Sequence, residues 1–176
     1  TYAEAARRFL RAERPELNLR VVNMGVSGNT TRDLLARFEN DVVALRPDVL
    51  VVMIGANDVW RRFDSPARPE TAVPLKEYRD NLREIADRSP ARDLLFLSPF
   101  MVEPDRNEPM RACMDECGKA MAAVADAANA HFLDVQAVFD DLLSHVHSAS
   151  IAWDRIHPDH AGHYAIARAV ATRLLG

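Results

Sequence analysis

An aspartate and a histidine stand three residues apart near the end of the sequence, within the run WDRIHP at residues 153–158. At this spacing a helical turn or a tight loop places both side chains on one face. The carboxylate of Asp154 could then accept the Nδ1–H of His157, so that Nε2 takes a proton from a nucleophile. Because Pro158 biases the preceding residue away from helical conformation, we expect the pair on a connection. Asp154 and His157 are therefore a candidate acid and base of a hydrolytic triad.

Two further polar clusters follow predicted strands, where α/β proteins bind their ligands. The sequence NMGVSGNT at residues 23–30 contains Gly28, and IGAND at residues 54–58 contains Asn57. A backbone N–H ahead of a helix and a side-chain amide N–H are suitable donors to the oxyanion of an acyl transfer. A turn with positive φ would explain Gly28 without catalysis, and an Asx-turn cap would explain Asn57.

Helical and strand patterns alternate along the chain and must position these clusters. Short β-branched or wholly apolar runs predict strands at residues 19–24, 49–55, 94–98 and 131–135. Helical spacing and the N-cap candidates Thr30 and Asp159 predict helices at residues 2–14, 31–46, 75–88, 110–130, 136–147 and 161–175. Residues 56–74, rich in proline and charge, are predicted to form a loop. This alternation indicates the α/β class, with a parallel sheet covered by helices on both faces.

Composition excludes several classes of function. The chain has 176 residues, 48% of them hydrophobic and 27% charged, with a net charge of −4, so we expect one domain over residues 1–176. Basic residues form no patch for nucleic acid, and no apolar run is long enough to cross a membrane. Cys113 and Cys117 lie at i, i+4 spacing, too far apart on a helix for a disulfide, and have no third metal ligand nearby. Two reduced thiols suit a cytoplasmic location.

Three motifs, taken in order, resemble those of the GDSL/SGNH hydrolase family: N-x-G-x-S-G-N-T (residues 23–30), G-x-N-D (55–58) and D-x-x-H-P (154–158). The longer stretches around them are similar to the acetylxylan esterase subgroup: VVNMGVSGNTTRDL (21–34), MIGANDVWR (53–61) and AWDRIHP (152–158). The resemblance implies a flavodoxin-like three-layer α/β/α sandwich and a serine esterase without metal or cofactor. It also implies His157 as base, Asp154 as the residue that orients it, and Gly28 and Asn57 as oxyanion donors.

The family's Gly-Asp-Ser motif, which supplies the nucleophile at the end of a strand, is absent from the sequence. The first residues match the helix that follows this strand in the family, so we expect an N-terminally incomplete domain whose first strand and nucleophilic serine lie upstream. Ser27, in GVSGN, falls one residue short of the nucleophile-elbow pattern and is a weaker candidate, as is Ser98. Trp60 and Trp153 could line a substrate pocket, although ordinary aromatic packing explains them equally well.

The sequence therefore predicts a serine esterase that acts on small acyl esters, with acetylated xylan or its oligosaccharides as the favoured carbohydrate substrate. A general carboxylesterase, thioesterase or lysophospholipase of the same family is the alternative within the enzymes. Outside them, the alternative is a binding module that has lost its nucleophile. A flavin protein is disfavoured because the first loop lacks a phosphate-binding run of Ser, Thr and Gly. The natural acyl group and the formation of a homo-oligomer stay open.

Overall fold

Three parallel strands form one sheet in the computed structural model, which describes residues 1–176. The strands are β1 (Val49–Met53), β2 (Asp93–Leu97) and β3 (His131–Leu133). Their order is β1-β2-β3, with Leu95 of β2 opposite both Val51 and His131. Because β2 is central, its residues Phe96 and Leu97 are fully buried. The predicted α/β class with a parallel sheet is confirmed.

Seven α-helices accompany the strands: α1 (Tyr2–Glu13), α2 (Thr31–Asp41), α3 (Ala56–Asp64), α4 (Leu75–Arg88), α5 (Pro109–Ala127), α6 (Val135–Leu143) and α7 (His160–Leu175). Both predicted N-caps are confirmed. Thr30 and Asp33 form a reciprocal capping box at the start of α2, and the Asp159 carboxylate accepts the Gly162 N–H at the start of α7. The helix α2 ends earlier than predicted, because Val43–Leu45 form a separate 3₁₀ turn.

The chain divides into two compact units, each discontinuous in sequence. One unit comprises residues 26–101 and 105–136. It contains the sheet and the helices α2, α3, α4 and α5. In this unit α5 packs on β2 and β3, and α4 packs on α2 and α5. Its core consists of large side chains that are fully buried: Phe38, Tyr78, Leu82, Ile85, Phe96, Met114 and Met121.

The other unit comprises residues 1–25, 102–104 and 137–176. Here α1 packs along α7, and the rings of Phe9 and Tyr164 lie 4.9 Å apart between centroids. The buried residues of these two helices recur at helical spacing, as an amphipathic face requires: Ala6, Leu10, Ile166, Ala167, Val170 and Ala171. The prediction of a single domain over residues 1–176 stays a prediction.

Residues 19–24, predicted as the first strand, do not form one. The side chains of Val21, Val22 and Met24 are 38%, 48% and 38% exposed. A strand needs a neighbour that takes up its backbone hydrogen bonds, and the sheet pairs no segment with these residues. A β-branched run has a high strand propensity, but without a pairing strand it does not form a strand. Gly28 therefore follows an irregular segment instead of a strand.

The prediction of a loop over residues 56–74 is wrong for its first half, where α3 begins directly after β1. The prolines that indicated a loop, at positions 66, 69 and 74, all follow this helix, so none of them interrupts it. Gly55 precedes α3 with φ +124°, and a Cβ there would lie 2.7 Å from the Tyr78 hydroxyl oxygen. A glycine at this position lets the chain turn from β1 into α3, which places Asn57 on the first turn of a helix.

Strand β1 is also less buried than its apolar sequence predicts. Val49 is 38% exposed, and Val52 is the one buried residue of the strand. A strand at the edge of a sheet has a neighbour on one side only, whereas β2 has neighbours on both. The wholly apolar run therefore identified the strand but not its position in the sheet.

Candidate active site

The structure brings Asp154 and His157 into direct contact, as their spacing predicts. The Oδ2 atom of Asp154 lies 2.7 Å from Nδ1 of His157. Its Oδ1 atom accepts the backbone N–H groups of Ile156 at 3.0 Å and of His157 at 2.8 Å. The imidazole is 60% exposed and the Asp154 side chain 22% exposed. One carboxylate oxygen thus closes the turn while the other sets the orientation of the ring and favours the tautomer with the proton on Nδ1.

The electrostatics of Asp154 favour its ionised form. Partial burial of the carboxyl group raises its pKa, but hydrogen bonds from the backbone and ring of His157 and from the backbone of Ile156 together outweigh burial. The pKa of Asp154 therefore lies below its ordinary value of 3.8. A carboxylate that stays ionised near an imidazole can stabilise the imidazolium that forms during catalysis.

The turn between the two residues has an uncommon backbone. Arg155 has φ +66°, in the left-handed region that residues with a Cβ seldom adopt. Its N–H donates to the Ala152 carbonyl at 3.0 Å, and its carbonyl accepts the Val102 N–H at 2.8 Å. Its guanidinium contacts the Glu103 carboxylate at 2.6 Å. Contacts from a distant segment of the chain therefore hold the turn.

A glycine on α7 allows this turn to pack against the helix that follows it. A Cβ at Gly162 would lie 2.6 Å from Cβ of Pro158 and 3.0 Å from Cγ2 of Ile151. In addition, the Asp159 N–H donates to the Ile151 carbonyl at 2.7 Å. Any larger residue at Gly162 would push the segment that carries His157 away from α7.

The predicted oxyanion donors lie in the other unit. Gly28 has φ +82°, consistent with the turn geometry that its residue type indicates. Its carbonyl accepts Nη2 of Arg61 at 3.1 Å, and no acceptor within the chain takes its N–H. Asn57 donates from Nδ2 to the Asn29 carbonyl at 3.0 Å. A carboxamide nitrogen carries two N–H groups, so this bond orients Asn57 and leaves one N–H for a ligand.

Helix α3 also holds the segment that contains Gly28 through Asp58, the residue after Asn57. The carboxylate of Asp58 is 1% exposed and accepts the Thr31 N–H with both oxygens at 3.1 Å, and the Thr31 hydroxyl at 2.5 Å. Burial raises the pKa of Asp58 above 3.8, and the bonds from Thr31 offset only part of this effect. Asn81 also donates to the Thr31 hydroxyl oxygen, at 2.9 Å. Asp58 is thus a structural carboxylate.

Of the two serines within the chain considered as nucleophiles, Ser98 has a structural role. It is 1% exposed, and its Oγ accepts the N–H groups of Val135 at 2.8 Å and Gln136 at 3.3 Å, at the start of α6. Ser27 is an exposed turn residue beside Gly28. Neither hydroxyl lies within hydrogen-bonding distance of a histidine, so neither has a general base at hand.

The two tryptophans differ in exposure. The Trp153 side chain, next to Asp154, is 84% exposed, whereas Trp60 on α3 is half-buried. Their predicted role as pocket residues stays a prediction. The cysteines are free: Cys113 is half-buried, and burial raises the pKa of Cys117 to about 12, so it is an unreactive thiol.

Nowhere in the chain do three or more His, Cys, Asp or Glu side chains gather into a group that could hold a metal ion. No helix combines the length and apolar character that a membrane crossing requires.

Sequence reasoning missed the residues that position the candidate site: Asn29, Thr31, Arg61, Glu103, Arg155 and Gly162. The sequence can indicate Arg61 as a positioning residue, because it follows Asn57 by one helical turn, but only once α3 is recognised as a helix. Glu103 carries no such signal, because its partner Arg155 is 52 residues away in sequence. Among the positioning features, the sequence indicates the N-caps at Thr30 and Asp159.

Comparison with known proteins gives a consistent result. A model of the GDSL-like Lipase/Acylhydrolase family matches residues 2–165. The acetylxylan esterase of Geobacillus stearothermophilus is 45% identical over 163 residues, which are 92% of this chain and 74% of that enzyme. The crystal structure of LAE5, an alpha/beta hydrolase from the metagenome of Lake Arreo in Spain, has a TM-score of 0.95 and 45% identity, covering 99% of this chain and 82% of that one.

The crystal structure of the Geobacillus esterase has a TM-score of 0.94 and 42% identity, covering 98% of this chain and 80% of that one. Variants of that esterase described as catalytic mutants replace a serine, an aspartate, or the histidine three residues after this aspartate with alanine. The predicted hydrolase fold and family are confirmed. The chain belongs to the GDSL-like lipase/acylhydrolase family of ester-hydrolysing enzymes.

Proposed function

We propose that this chain supplies the base, its orienting acid and two oxyanion donors of a serine esterase that removes acetyl groups from acetylated xylan or its oligosaccharides. The observation that carries the proposal is the contact of 2.7 Å between Oδ2 of Asp154 and Nδ1 of His157. This contact fixes the tautomer that a general base needs, with the proton on Nδ1 and the lone pair on Nε2.

In the proposed reaction, Nε2 of His157 removes the proton from a serine hydroxyl as its oxygen attacks the ester carbonyl carbon. The resulting imidazolium then protonates the sugar oxygen as the bond from this oxygen to the acyl carbon breaks. Water, activated by the same nitrogen, hydrolyses the acyl-serine and restores both groups. Throughout, ionised Asp154 stabilises the positive charge on His157.

The carbonyl oxygen becomes negatively charged when the tetrahedral intermediate forms and needs hydrogen-bond donors fixed in advance. Two groups suit this role: the Gly28 N–H, which has no acceptor within the chain, and the second N–H of Asn57. The guanidinium of Arg61, bound to the Gly28 carbonyl at 3.1 Å, adds positive charge beside these donors. Both donors are thus held before a substrate arrives, Gly28 through Arg61 and Asn57 through Asn29.

The substrate class rests on the relatives and on one local pattern. In the Geobacillus esterase, the histidine named in one catalytic mutant follows the aspartate named in another by three residues, and a further variant replaces the tryptophan directly before this aspartate. This chain has the same arrangement at Trp153, Asp154 and His157. An exposed indole beside the base suits the flat, apolar face of a sugar ring.

The nucleophile of this proposal is a serine of the Gly-Asp-Ser motif supplied from outside residues 1–176. Ser98 is unsuited because its hydroxyl binds the start of α6. A fluorophosphonate probe, which labels activated serines, followed by peptide mass spectrometry, tests the assignment on the protein that carries this sequence. Label on the serine of a Gly-Asp-Ser motif supports it, whereas label on Ser27 or Ser98 contradicts it.

The substrate proposal is tested by measuring kcat/KM for p-nitrophenyl acetate against butyrate and octanoate esters, and acetate release from acetylated xylo-oligosaccharides by NMR. We expect acetyl esters to be the best substrates and the oligosaccharides to be deacetylated. Preference for octanoate would instead identify a general carboxylesterase or lysophospholipase. The matched variants are His157→Ala, expected to be inactive, and His145→Ala, which replaces an exposed histidine and should retain activity.

A further inference from the structure

Arg155 occupies the position between the two catalytic candidates and has an unfavourable backbone conformation. Its φ of +66° is left-handed, although it is not a glycine. In this region the Cβ of an L-residue approaches a neighbouring carbonyl oxygen, so other contacts must hold the residue there. The backbone N–H groups that bind Oδ1 of Asp154 belong to the next two residues, Ile156 and His157. Any change of conformation at Arg155 would therefore move the acid relative to the imidazole.

Two contacts with residues 102–104 hold Arg155. The Val102 N–H donates to its carbonyl at 2.8 Å, and Glu103 accepts from its Nη1 at 2.6 Å. The Glu103 side chain is 14% exposed, so this ion pair is shielded on one side. The chain's other ion pairs include several within single helices, such as that of Glu84 and Arg88 on α4. The pair of Glu103 and Arg155 instead joins segments 52 residues apart, and one partner lies inside the turn that carries the base.

We propose that Glu103 and Arg155 are positioning residues of the esterase. Their ion pair stabilises the left-handed turn that keeps Oδ2 of Asp154 in contact with Nδ1 of His157. The inference rests on the proposed function, because it assigns these residues to the base of that reaction. Neither residue touches the substrate or the reacting atoms in this role. Their effect passes through the backbone of residues 155–157.

The test compares Glu103→Gln, Arg155→Gly and Arg155→Ala in the protein that carries this sequence. We expect Glu103→Gln to lower kcat about tenfold to a hundredfold with KM unchanged, as for other residues that orient a catalytic side chain. Arg155→Gly should keep more activity than Arg155→Ala, because glycine adopts the left-handed conformation freely. Adding Glu103→Gln to Arg155→Gly should cost little further, since the ion pair is already lost.

The matched control is Glu84→Gln, the same substitution in an ion pair on α4. This variant should leave kcat unchanged. It therefore distinguishes a positioning effect of Glu103 from the general effect of losing one negative charge. A kcat for Glu103→Gln equal to that of the unmodified protein would overturn the inference. So would equal activity of Arg155→Gly and Arg155→Ala at equal folded fraction, because the backbone conformation would then be irrelevant.

A second measurement is independent of the substrate. The proton between Nδ1 of His157 and Oδ2 of Asp154 should give a downfield proton NMR signal, which His157→Ala abolishes. We expect Glu103→Gln to shift or broaden this signal in a protein that stays folded, and Glu84→Gln to leave it in place. If the signal responds but the protein hydrolyses no ester, the proposed function fails and the positioning inference stands. If hydrolysis depends on His157 and Glu103→Gln leaves both signal and kcat unchanged, the inference alone fails.

Discussion

The proposed acid–base pair, Asp154 and His157, and the proposed oxyanion donors, Gly28 and Asn57, are held by different kinds of bonds. Asp154 makes its bonds to Ile156 and His157 within a span of three residues. The segment that carries Gly28 is instead held by bonds to α3 that cross 27 to 33 residues. Local bonds form whenever the turn forms, whereas long-range bonds require that separate elements pack correctly first. The bonds of Asp154 itself are therefore local, although the turn that contains them also depends on contacts of Arg155 with residues 102 and 103.

The two regions also treat their carboxylates differently. Asp154 is partly exposed and surrounded by N–H donors, so its pKa is lowered. Asp58 is fully buried, and burial outweighs the bonds from Thr31, so its pKa is raised. The environment of Asp154 favours its charged form, whereas the buried charge of Asp58 carries a free-energy cost and organises the segment that contains Thr31.

Replacement of the acid or base should have the largest effect on rate with little effect on folding. We expect Asp154→Asn to lower kcat by about 10⁴, because the amide favours the wrong tautomer of His157, and His157→Ala to lower it by at least as much. Steady-state kinetics on acetyl esters measures both values. The double variant should be no worse than His157→Ala. Additive losses in the double variant would contradict a pair that acts as one unit.

Loss of an oxyanion donor should cost less. We expect Asn57→Ala to lower kcat by about 10² to 10³, or about 3 kcal/mol in the barrier, with a small effect on KM. The matched control is Asn81→Ala, which removes a hydrogen bond of 2.9 Å to the neighbouring Thr31. It should lower the free energy of unfolding by about 1 kcal/mol, with a much smaller effect on kcat. A similar kcat for the two variants would remove Asn57 from the mechanism.

The packing of the turn that carries Asp154 and His157 against α7 should affect the free energy of unfolding. We expect Gly162→Ala to lower the free energy of unfolding by about 1–3 kcal/mol, because its Cβ would lie 2.6 Å from Pro158. Denaturant unfolding measures this, with Gly118→Ala on α5 as control, where the nearest atom, Cβ of Ser98, is 3.6 Å away. There alanine should stabilise by about 0.5–1 kcal/mol through its helix propensity. An increase in the free energy of unfolding for Gly162→Ala would show that the turn shifts without cost to accommodate the added Cβ.

The smallest effects concern pH. A lowered folded-state pKa means that Asp154 stabilises the folded protein above its unfolded value of 3.8, and that this contribution is lost as pH falls through the lower folded value. The contribution of Asp58 to the pH dependence of stability has the opposite sign. As pH rises above 3.8 and through the raised folded pKa, ionisation of Asp58 lowers the free energy of unfolding. Carboxyl-carbon NMR titration should find the pKa of Asp154 below 3.8 and that of Asp58 above it. The reverse order would contradict the contrast between the two regions.

Prediction from sequence succeeded where the bonds are local. The bounds of α4 and the N-caps at Thr30 and Asp159 all depend on residues within one helix or one turn of each other. The same is true of the contact between Asp154 and His157. Prediction failed for residues 19–24 and for α3. The first has strand propensity without a pairing strand, and proline later in its segment concealed the second.

By itself, the sequence determined the family, most of the helices and strands, and the pairing of an aspartate with a histidine three residues later, because each depends on neighbouring residues. Only the tertiary structure decided that Asp58 binds Thr31, that Arg61 binds Gly28, and that Glu103 pairs with Arg155. These contacts join residues 27 to 52 positions apart. Their formation depends on loops closing and helices packing, and no local pattern of residue types records which distant partner will be within reach.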